Sequence, residues 1–433
     1  MRIDRLFPGY EKIRSAVDVE SMFDLVLYSL FLRKCEEKGL AACKEQYSLS
    51  YLSLIYGERV SDDDLYKYII DLELELGIKD GFVSDGLKTA LNRISDHKTV
   101  QAIFDMVYSA SKSTDVNLAK MYDDYFDMYQ NRIGRGFAEF GSNRSLAKLE
   151  AALLNARDNS SIYDGYCGSG MSIVESGNNS NRFYVKDLNR TSLSRAIMNL
   201  VIHDCQIGNA TCGDSNLLDK QKYDYIVSEP PFSVRRDPKY LKTIDPDGII
   251  KSKESIEIER LIGSLEKNGR AVILVTAGIL FSTGVGIRDF RDSLIKEGHL
   301  EAIVALKPGA VSGTGASAML LVIDKGNHFS DILMVDTNNF WEGGRFHGMT
   351  LHQNDINTIC EIVKDRKNLD GVSLLVSSNE IYDNDLNMTP TLYVHPYNIN
   401  EIQIVDVSNL RKREKELSSE LSVISDKLER LRS

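Results

Sequence analysis

Residues 161–170, SIYDGYCGSG, decide the fold: a short β-forming run ends on an acidic side chain and enters a glycine-rich turn. The next residues, 171–175 (MSIVE), begin like a helix. The order of strand, glycine turn and helix is typical of nucleotide-binding crevices, where glycines let the backbone approach a ligand closely. A glycine turn alone is equally compatible with an ordinary tight connection between a strand and a helix. Residues elsewhere in the chain must therefore decide between a ligand-binding turn and such a connection.

Two later strands add polar groups at the expected places. Residues 183–187 (FYVKD) end at Asp187, where a fold of this kind places a carboxylate that accepts the ribose hydroxyls of a nucleotide. Residues 223–232 (YDYIVSEPPF) form another buried strand that two prolines interrupt. The prolines alone are compatible with a plain strand stop. Their position after the third acid-ended strand favours a site.

Composition limits the class of protein. The 433 residues suffice for two or three domains, and 42% hydrophobic residues, 27% charged residues and 8 prolines exclude disordered and collagen-like chains. A formal net charge of −11 argues against a protein that coats nucleic acid by itself. Any DNA contact is therefore expected to be local or shared with a basic partner.

The cysteines, the N-terminus and the apolar runs of the sequence all favour a cytoplasmic protein. The six cysteines show neither zinc-type spacing nor a dense disulfide framework, which fits a reduced cytoplasm. The N-terminus has no signal-peptide core. The longest apolar run, 271–281, is too short to cross a bilayer and predicts a core strand and its exit.

The chain divides into three predicted parts. Residues 1–130 carry helical patterns, 131–400 alternate strand and helix, and 401–433 carry leucines at coiled-coil spacing. The predicted fold class is α/β, with a mostly parallel Rossmann-like sheet, an N-terminal all-helical domain and a C-terminal coiled-coil helix. That last helix can pack on a partner or on its own chain. Candidate strands are 161–164, 182–186, 223–228, 270–276, 300–306, 317–323 and 332–336.

Taken together, these motifs resemble the S-adenosylmethionine-dependent amino-methyltransferases, and most closely the methylation (M) subunit of type I DNA restriction-modification systems. The family's Asp-Pro-x-Cys-Gly-Ser-Gly turn is similar to residues 164–170. Its Glu-Ile-Asn-Pro segment and the following Asn-x-x-x-His are similar to 187–190 and 199–203. Further similarity at 269–281 and 387–394 extends the resemblance over nearly the whole chain.

The resemblance implies a Rossmann-like methyltransferase sheet and an adenine-N6 DNA methyltransferase. Such an enzyme transfers a methyl group from S-adenosylmethionine to an adenine flipped out of the duplex. Implied partners are DNA, a specificity (S) subunit and a second M subunit, with no membrane. The presence of a restriction (R) subunit is left open. The helix at 401–433 is then expected to serve subunit assembly.

The resemblance also implies site residues. Adenine N6 is a poor nucleophile, so acceptors for its hydrogens and a stacking ring must align it with the methyl group. The implied catalytic residues are Glu229, Pro230, Pro231 and Phe232. The implied cofactor-binding residues are Phe140, Ser142, Asp164, Gly165, Cys167, Gly168, Gly170, Asp187, Leu188, Asp214 and Ser215. No metal site is expected.

Some of these residues have an alternative interpretation. Asp214, taken singly, is as compatible with capping a turn. Ser142 or Asn143 can cap a helix over 146–154. Glu229 stands where the family has Asn, and further departures are Asn143, Arg190, and Thr276 with Ala277. A longer, charged Glu229 motivates an alternative: a catalytically weak subunit kept for assembly or cofactor binding. A small-molecule or protein amine methyltransferase is a third candidate.

Overall fold

The chain folds as a helical N-terminal region followed by strands that alternate with helices. The computed structural model describes residues 3–94, 96–133, 143–216, 221–232, 253–284, 286–311, 316–344 and 348–395. The predicted coiled-coil helix at 401–433 lies outside these ranges. None of the helices within them combines the length and apolar character that crossing a bilayer requires.

The N-terminal region is built around a long buried helix, α3. Asp18 caps its start by accepting from the Ser21 N–H at 2.9 Å, and Gly39 ends it in the left-handed conformation. Residues 22–32 are buried, in agreement with the helical patterns that the sequence shows in this part of the chain. The helices are α1 (Ile3–Leu6), α2 (Tyr10–Arg14), α3 (Val19–Lys38), α4 (Leu49–Ile55), α5 (Asp62–Glu75), α6 (Phe82–Leu91), α7 (His97–Ser111) and α8 (Leu118–Ile133).

The remaining described residues form a nine-stranded sheet and a small hairpin. The strands are β1 (Ser161–Asp164), β2 (Arg182–Asp187), β3 (Gln206–Cys212), β4 (Tyr223–Ser228), β5 (Leu265–Thr276), β6 (Leu300–Ala305), β7 (Ala318–Asp324), β8 (Asp331–Asp336), β9 (Glu342–Gly344), β10 (Gly348–Thr350) and β11 (Ser373–Ser377). The sheet order is β11-β8-β6-β7-β5-β4-β1-β2-β3, and β9 pairs with β10. Strand β7 runs antiparallel to β5 and β6, and β11 to β8; the other pairs of the sheet are parallel.

Helices cover both faces of this sheet. They are α9 (Arg144–Leu154), α10 (Met171–Glu175), α11 (Arg190–Ile202), α12 (Lys253–Gly263), α13 (Gly278–Phe281), α14 (Ile287–Glu297), α15 (Gln353–Asp365), α16 (Ser378–Asp383) and α17 (Pro390–Tyr393). Successive side chains of β5 point into two different cores, as a pleated strand requires. Val272 and Leu274 pack on the side of α9 and α15, whereas Ala271, Ile273 and Val275 pack on the side of α12 and α14.

The strand order places a crevice at the carboxyl end of β1. The chain passes from β1 to β2 and β3 on one side, and then returns to β4 on the other. Ligands of open α/β sheets bind at such a switch point, outside the carboxyl ends of the strands. Asp164, Asp187 and Glu229 stand at or just beyond the ends of β1, β2 and β4, respectively.

All seven predicted strands are confirmed, as are the mostly parallel sheet and the core strand with its exit at 271–281. Strands β3 and β11 were not predicted. Both are edge strands. Four of the seven residues of β3 (QIGNATC) are exposed and Ala210 alone among the seven is buried, so the strand lacks the apolar pattern that a buried strand shows. In β11 only five residues pair, which is too few for a clear pattern.

Helix α11 joins the helical region to the sheet through buried polar contacts. Arg195 donates to both carboxylate oxygens of Asp24 at 2.7 and 2.9 Å and to Glu20 at 2.8 Å. Its side chain is 5% exposed, as is that of Asp24. Nearby, the Tyr28 hydroxyl lies 2.9 Å from the Ser194 hydroxyl. The position of α3 therefore depends on the same helix that packs behind the crevice.

Asp24→Asn should lower the free energy of unfolding by about 3 kcal/mol, because the buried Arg195 charge loses its main partner. Glu20 still accepts from Arg195, which keeps the loss at the lower end of the usual range. Asp85→Asn is the control, since it breaks a half-exposed ion pair with Arg190 and should cost less than about 1 kcal/mol. Equal losses in urea titrations of the two variants would contradict this account.

Candidate active site

Asp164, the last residue of β1, carries a buried carboxylate that joins the glycine turn to the end of β4. Its Oδ1 accepts from the Tyr166 N–H at 3.0 Å and from the Ser228 hydroxyl at 2.8 Å. Burial raises the pKa of Asp164 to about 7; the two hydrogen bonds oppose that rise, and the Glu229 and Asp187 carboxyls add to it. The two strand ends and the turn are therefore held as one unit.

Asp187 binds the same turn from the end of β2. Its Oδ2 accepts from the Gly168 N–H at 3.0 Å, and its Oδ1 accepts from the Asn189 N–H at 2.7 Å. Burial raises the pKa of the Asp187 carboxyl, and the hydrogen bonds from these N–H groups oppose part of that rise. The predicted acid thus lies at the glycine turn. The next residue, Leu188, is 69% exposed.

The glycines of the turn are required for different structural reasons. A Cβ on Gly170 would lie 3.0 Å from the Ala196 Cα, so this glycine allows α11 to approach closely, and its φ of +80° favours glycine as well. A Cβ on Gly168, at φ +50°, would meet nothing within 4 Å. The Asn199 side chain donates to the Ser169 carbonyl at 3.1 Å and anchors the turn on α11.

The turn after β3 closes another side of the crevice. Asp214 Oδ1 accepts from the backbone N–H and the side-chain amide of Asn216, both at 3.0 Å, which is the turn-capping geometry. The Ser215 hydroxyl donates to the Gly165 carbonyl. This turn is therefore tied to the glycine turn. Cofactor-binding roles for Asp214 and Ser215 stay predictions, as does a role for the buried Cys167.

The segment after β4 begins beside α10. The Ser172 hydroxyl donates to Glu229 Oε1 at 2.7 Å. Pro230 is buried, Pro231 is exposed, and the half-buried Phe232 packs against the core. The structure thus brings the four predicted catalytic residues next to the helix that follows the glycine turn. The predicted residues Phe140 and Ser142 lie outside the described ranges.

Positions that depart from the family pattern have partners within this fold. Asn143 caps α9 by accepting from the Ser145 N–H at 2.8 Å, which settles the predicted cap at this residue. Thr276 donates from its N–H and its hydroxyl to the Glu254 carboxylate at 2.6 and 2.8 Å. The departures at 143 and 276 therefore add hydrogen bonds rather than disrupt the crevice.

Three polar residues of the site were not predicted: Ser172, Ser228 and Glu150. The two serines are the hydroxyl partners of Glu229 and Asp164, and short polar residues give no distinctive pattern in a sequence. Glu150 does leave a signal. It occupies the buried face of α9 together with Leu146, Leu153 and Leu154, where an acidic residue is out of place.

The crevice is strongly acidic. Burial raises the pKa of the carboxyls of Asp164 and Asp187, so the ionised form of each favours a ligand that brings positive charge. Within the described ranges, no group of three or more His, Cys, Asp or Glu side chains is arranged to hold a metal ion. The carboxyls thus favour a cationic ligand, and the exposed Leu188 side chain favours one with an apolar portion.

Asp164→Asn should stabilise the protein increasingly as pH rises from about 4 to about 7. The folded protein keeps a proton on Asp164 that the unfolded chain releases near 3.8, so wild-type stability falls through this window. The difference between the proteins should grow by up to about 1.4 kcal/mol per pH unit. Urea titrations across the window measure it. If the difference in free energy of unfolding between Asp164→Asn and the wild type does not change with pH, the raised pKa of Asp164 is contradicted. Asp365→Asn, at an exposed carboxylate, is the control, and its difference from the wild type should not change above about pH 5.

Comparisons with known proteins agree with this geometry. The model of the N-6 DNA Methylase family matches residues 112–402. The type I restriction enzyme MjaVIII methylase subunit of Methanocaldococcus jannaschii is 24% identical over 315 residues, which cover 64% of this chain and 52% of that protein. The EcoKI methylase subunit of Escherichia coli is 24% identical over 343 residues, which cover 69% and 62%.

A solved structure shows the same fold. The crystal structure of the type I restriction-modification system methyltransferase subunit from Streptococcus thermophilus has a TM-score of 0.70 and 16% identity, covering 90% of this chain and 98% of that chain. By contrast, the chain spans only about half the length of the M. jannaschii methylase subunits it matches. Because the family model covers more than half of the sequence, the chain belongs to the N-6 DNA methylase family.

Proposed function

We propose that the chain is the methylation subunit of a type I restriction-modification system and methylates adenine N6 in DNA with S-adenosylmethionine. One observation carries the proposal: the segment from Glu229 to Phe232 leaves β4 beside the glycine turn of β1, bonded to α10 through Ser172. A methyl transfer requires the donor and the acceptor to lie side by side, and this arrangement places the segment after β4 beside the glycine turn. Family membership and the similarity to type I methylase subunits support the same conclusion.

On the acceptor side, the chain supplies hydrogen-bond acceptors and a ring. The lone pair of adenine N6 is delocalised into the base, and acceptors for the amine hydrogens increase its availability. The Glu229 carboxylate and the Pro230 carbonyl are the acceptors. Phe232 offers a face on which the flipped base stacks. The adjacent prolines fix the direction in which the Pro230 carbonyl points.

Glu229 is one methylene longer than the family's Asn, and its hydrogen bond to Ser172 compensates for this length. Because the Ser172 hydroxyl holds Oε1 at 2.7 Å, the carboxylate is drawn towards α10 instead of extending freely. The bond thus restricts the additional rotamers that a longer side chain brings. This restraint supports catalysis over the alternative of a weak or inactive subunit, which the comparisons do not favour.

On the donor side, the crevice fits S-adenosylmethionine, which supplies an electrophilic methyl group on a sulfonium centre. Gly168 leaves open space next to Asp187, and Leu188 presents an exposed apolar side chain. The Asp164 and Asp187 carboxyls, whose pKa values burial raises, favour a cation. Asp187 accepts the ribose hydroxyls and Leu188 packs against the adenine of the cofactor.

The partners follow from charge and family. A net charge of −11 is unsuited to binding DNA without help, so a specificity subunit and a second M subunit share the contact, with or without a restriction subunit. The segment 401–433, for which the sequence predicts a helix, serves assembly. Residues 1–130 and 131–400 are the helical and methyltransferase domains. A small-molecule or protein methyltransferase is less consistent with the family match. The model of the N-6 DNA Methylase family begins at residue 112, within the helical region, so the similarity is not confined to the sheet.

Phe232→Ala should lower the rate of methyl transfer about 10- to 100-fold, because stacking of a base on an aromatic ring contributes ~1–3 kcal/mol. The assay measures labelled methyl transfer to DNA by the chain co-expressed with its neighbouring subunits, and mass spectrometry identifies N6-methyladenine. Tyr382→Ala on α16, which carries another partly exposed aromatic residue, should leave the rate unchanged. The proposed function fails if the wild-type complexes bind cofactor and methylate no adenine.

Leu188→Ser should weaken S-adenosylmethionine binding roughly tenfold, because the cofactor loses an apolar contact worth ~1.5 kcal/mol. Isothermal titration calorimetry measures the affinity. Leu54→Ser is a matched control, since Leu54 is 70% exposed and Leu188 is 69% exposed, and Leu54 lies on α4 in the helical region. Equal affinities of the Leu188 variant and the wild type would remove Leu188 from the cofactor site.

A further inference from the structure

Glu150 is an acid in the interior of the protein with no evident charge partner. It lies on α9, is 0% exposed, and neither of its carboxyl oxygens receives a hydrogen bond from a described donor. An ionised carboxylate in such a place would cost several kcal/mol. Glu150 therefore keeps its proton at neutral pH, and a protonated carboxyl is a hydrogen-bond donor that needs an acceptor.

The polar groups that face Glu150 belong to the candidate active site. They are the Ser172 hydroxyl on α10 and the Glu229 carboxyl after β4, with the Asp164 carboxyl beyond them. The Ser172 hydroxyl already gives its hydrogen to Glu229 Oε1. Its oxygen still has lone pairs with which to accept. The hydroxyl is thus placed to connect the protonated carboxyl of Glu150 to Glu229.

The other charged groups on the elements packed against α9 are already paired or absent from its buried side. Two arginines near α9 pair with carboxylates: Arg144 with Asp123 and Glu175, and Arg270 with Glu301 and Asp324. The buried residues of α15 are apolar: Ile356, Ile359, Ile362 and Val363. None of these described groups offers Glu150 a cation, which is consistent with a neutral carboxyl.

We propose that Glu150 is a positioning residue for the methyl transfer proposed above, acting through Ser172. The Glu150 carboxyl donates to the Ser172 hydroxyl, which donates to Glu229, and this relay holds the Glu229 carboxyl oriented towards the amine of the target base. The inference rests on the proposed function. Burial, with Glu229 adding to it, raises the pKa of Glu150 far above its ordinary value, in agreement with the proton that the relay requires.

The relay gives a physical reason for an acid at the centre of the site. If Glu150 were ionised, it would repel Glu229 and Asp164 and leave Ser172 with two competing acceptors. Glu229 would then lose its fixed orientation. Misplacement of a reacting group by about 1 Å can cost ~100-fold in rate. With its proton in place, Glu150 instead makes the longer Glu229 side chain a fixed acceptor.

Two variants of the full chain, co-expressed with its neighbouring subunits, test the relay. Glu150→Gln keeps the volume and a donor, and Glu150→Met keeps the approximate volume but removes the donor. The first readout is the infrared C=O stretch of a protonated carboxyl at the pH of the methyl-transfer assay, taken as the difference between the wild type and each variant so that other protonated carboxyls, such as that of Asp164, cancel. This readout needs no enzymatic activity. The second is the pH profile of kcat for methyl transfer, measured together with KM.

The relay predicts a protonated-carboxyl band in the wild type that disappears in both variants and shifts in Ser172→Ala. It predicts a kcat about 10- to 100-fold lower for Glu150→Met with KM little changed. For Glu150→Gln it predicts a near-wild-type kcat that no longer depends on the ionisation of residue 150 at high pH. A wild type without the band, or a Glu150→Met enzyme with wild-type kcat and pH profile, would overturn it. If the wild type shows the band but transfers no methyl group, the proposed function fails and the hydrogen-bonded chain stands.

Discussion

The architecture of the crevice depends on one buried carboxylate, that of Asp164. A carboxylate can be buried only if donors replace its lost water. Here the donors come from the two segments that must be brought together, the backbone N–H of Tyr166 in the glycine turn and the hydroxyl of Ser228 at the end of β4. Satisfying Asp164 therefore fixes the distance between the glycine turn and the segment that begins at Glu229.

This arrangement has an electrostatic cost, because several carboxyl groups lie together behind the turn. Burial and the nearby Glu229 and Asp187 carboxyls raise the pKa of Asp164 to about 7, so Asp164 ionises in the ligand-free site only against desolvation and repulsion. Arrangements that lower the stability of the folded protein in this way are common in active sites. Binding a cation would relieve part of the repulsion and stabilise the folded protein. The acidity of the crevice is thus consistent with a cationic methyl donor.

Much of the fold follows from local sequence pattern. The central strands were predictable because both faces of a strand such as β5 are buried, so that residues 271–275 form a continuous apolar run. The edge strands β3 and β11 were not, since edge positions do not require apolar residues. Motifs identified Asp164, Asp187 and the segment from Glu229. The contacts of Ser172 and Glu150 could not be read from the sequence, because they depend on how α9 packs on α10.

The central claim is that the ends of β1, β2 and β4 form one cofactor crevice that opens beside Phe232. A crystal structure of the chain with S-adenosylhomocysteine, which lacks the reactive methyl group, tests it most directly. The account predicts density for the ligand between Gly168 and Leu188, with the ribose at Asp187 and the sulfur towards Glu229. Density at another surface, or a crevice that stays filled by side chains at saturating ligand, would contradict it.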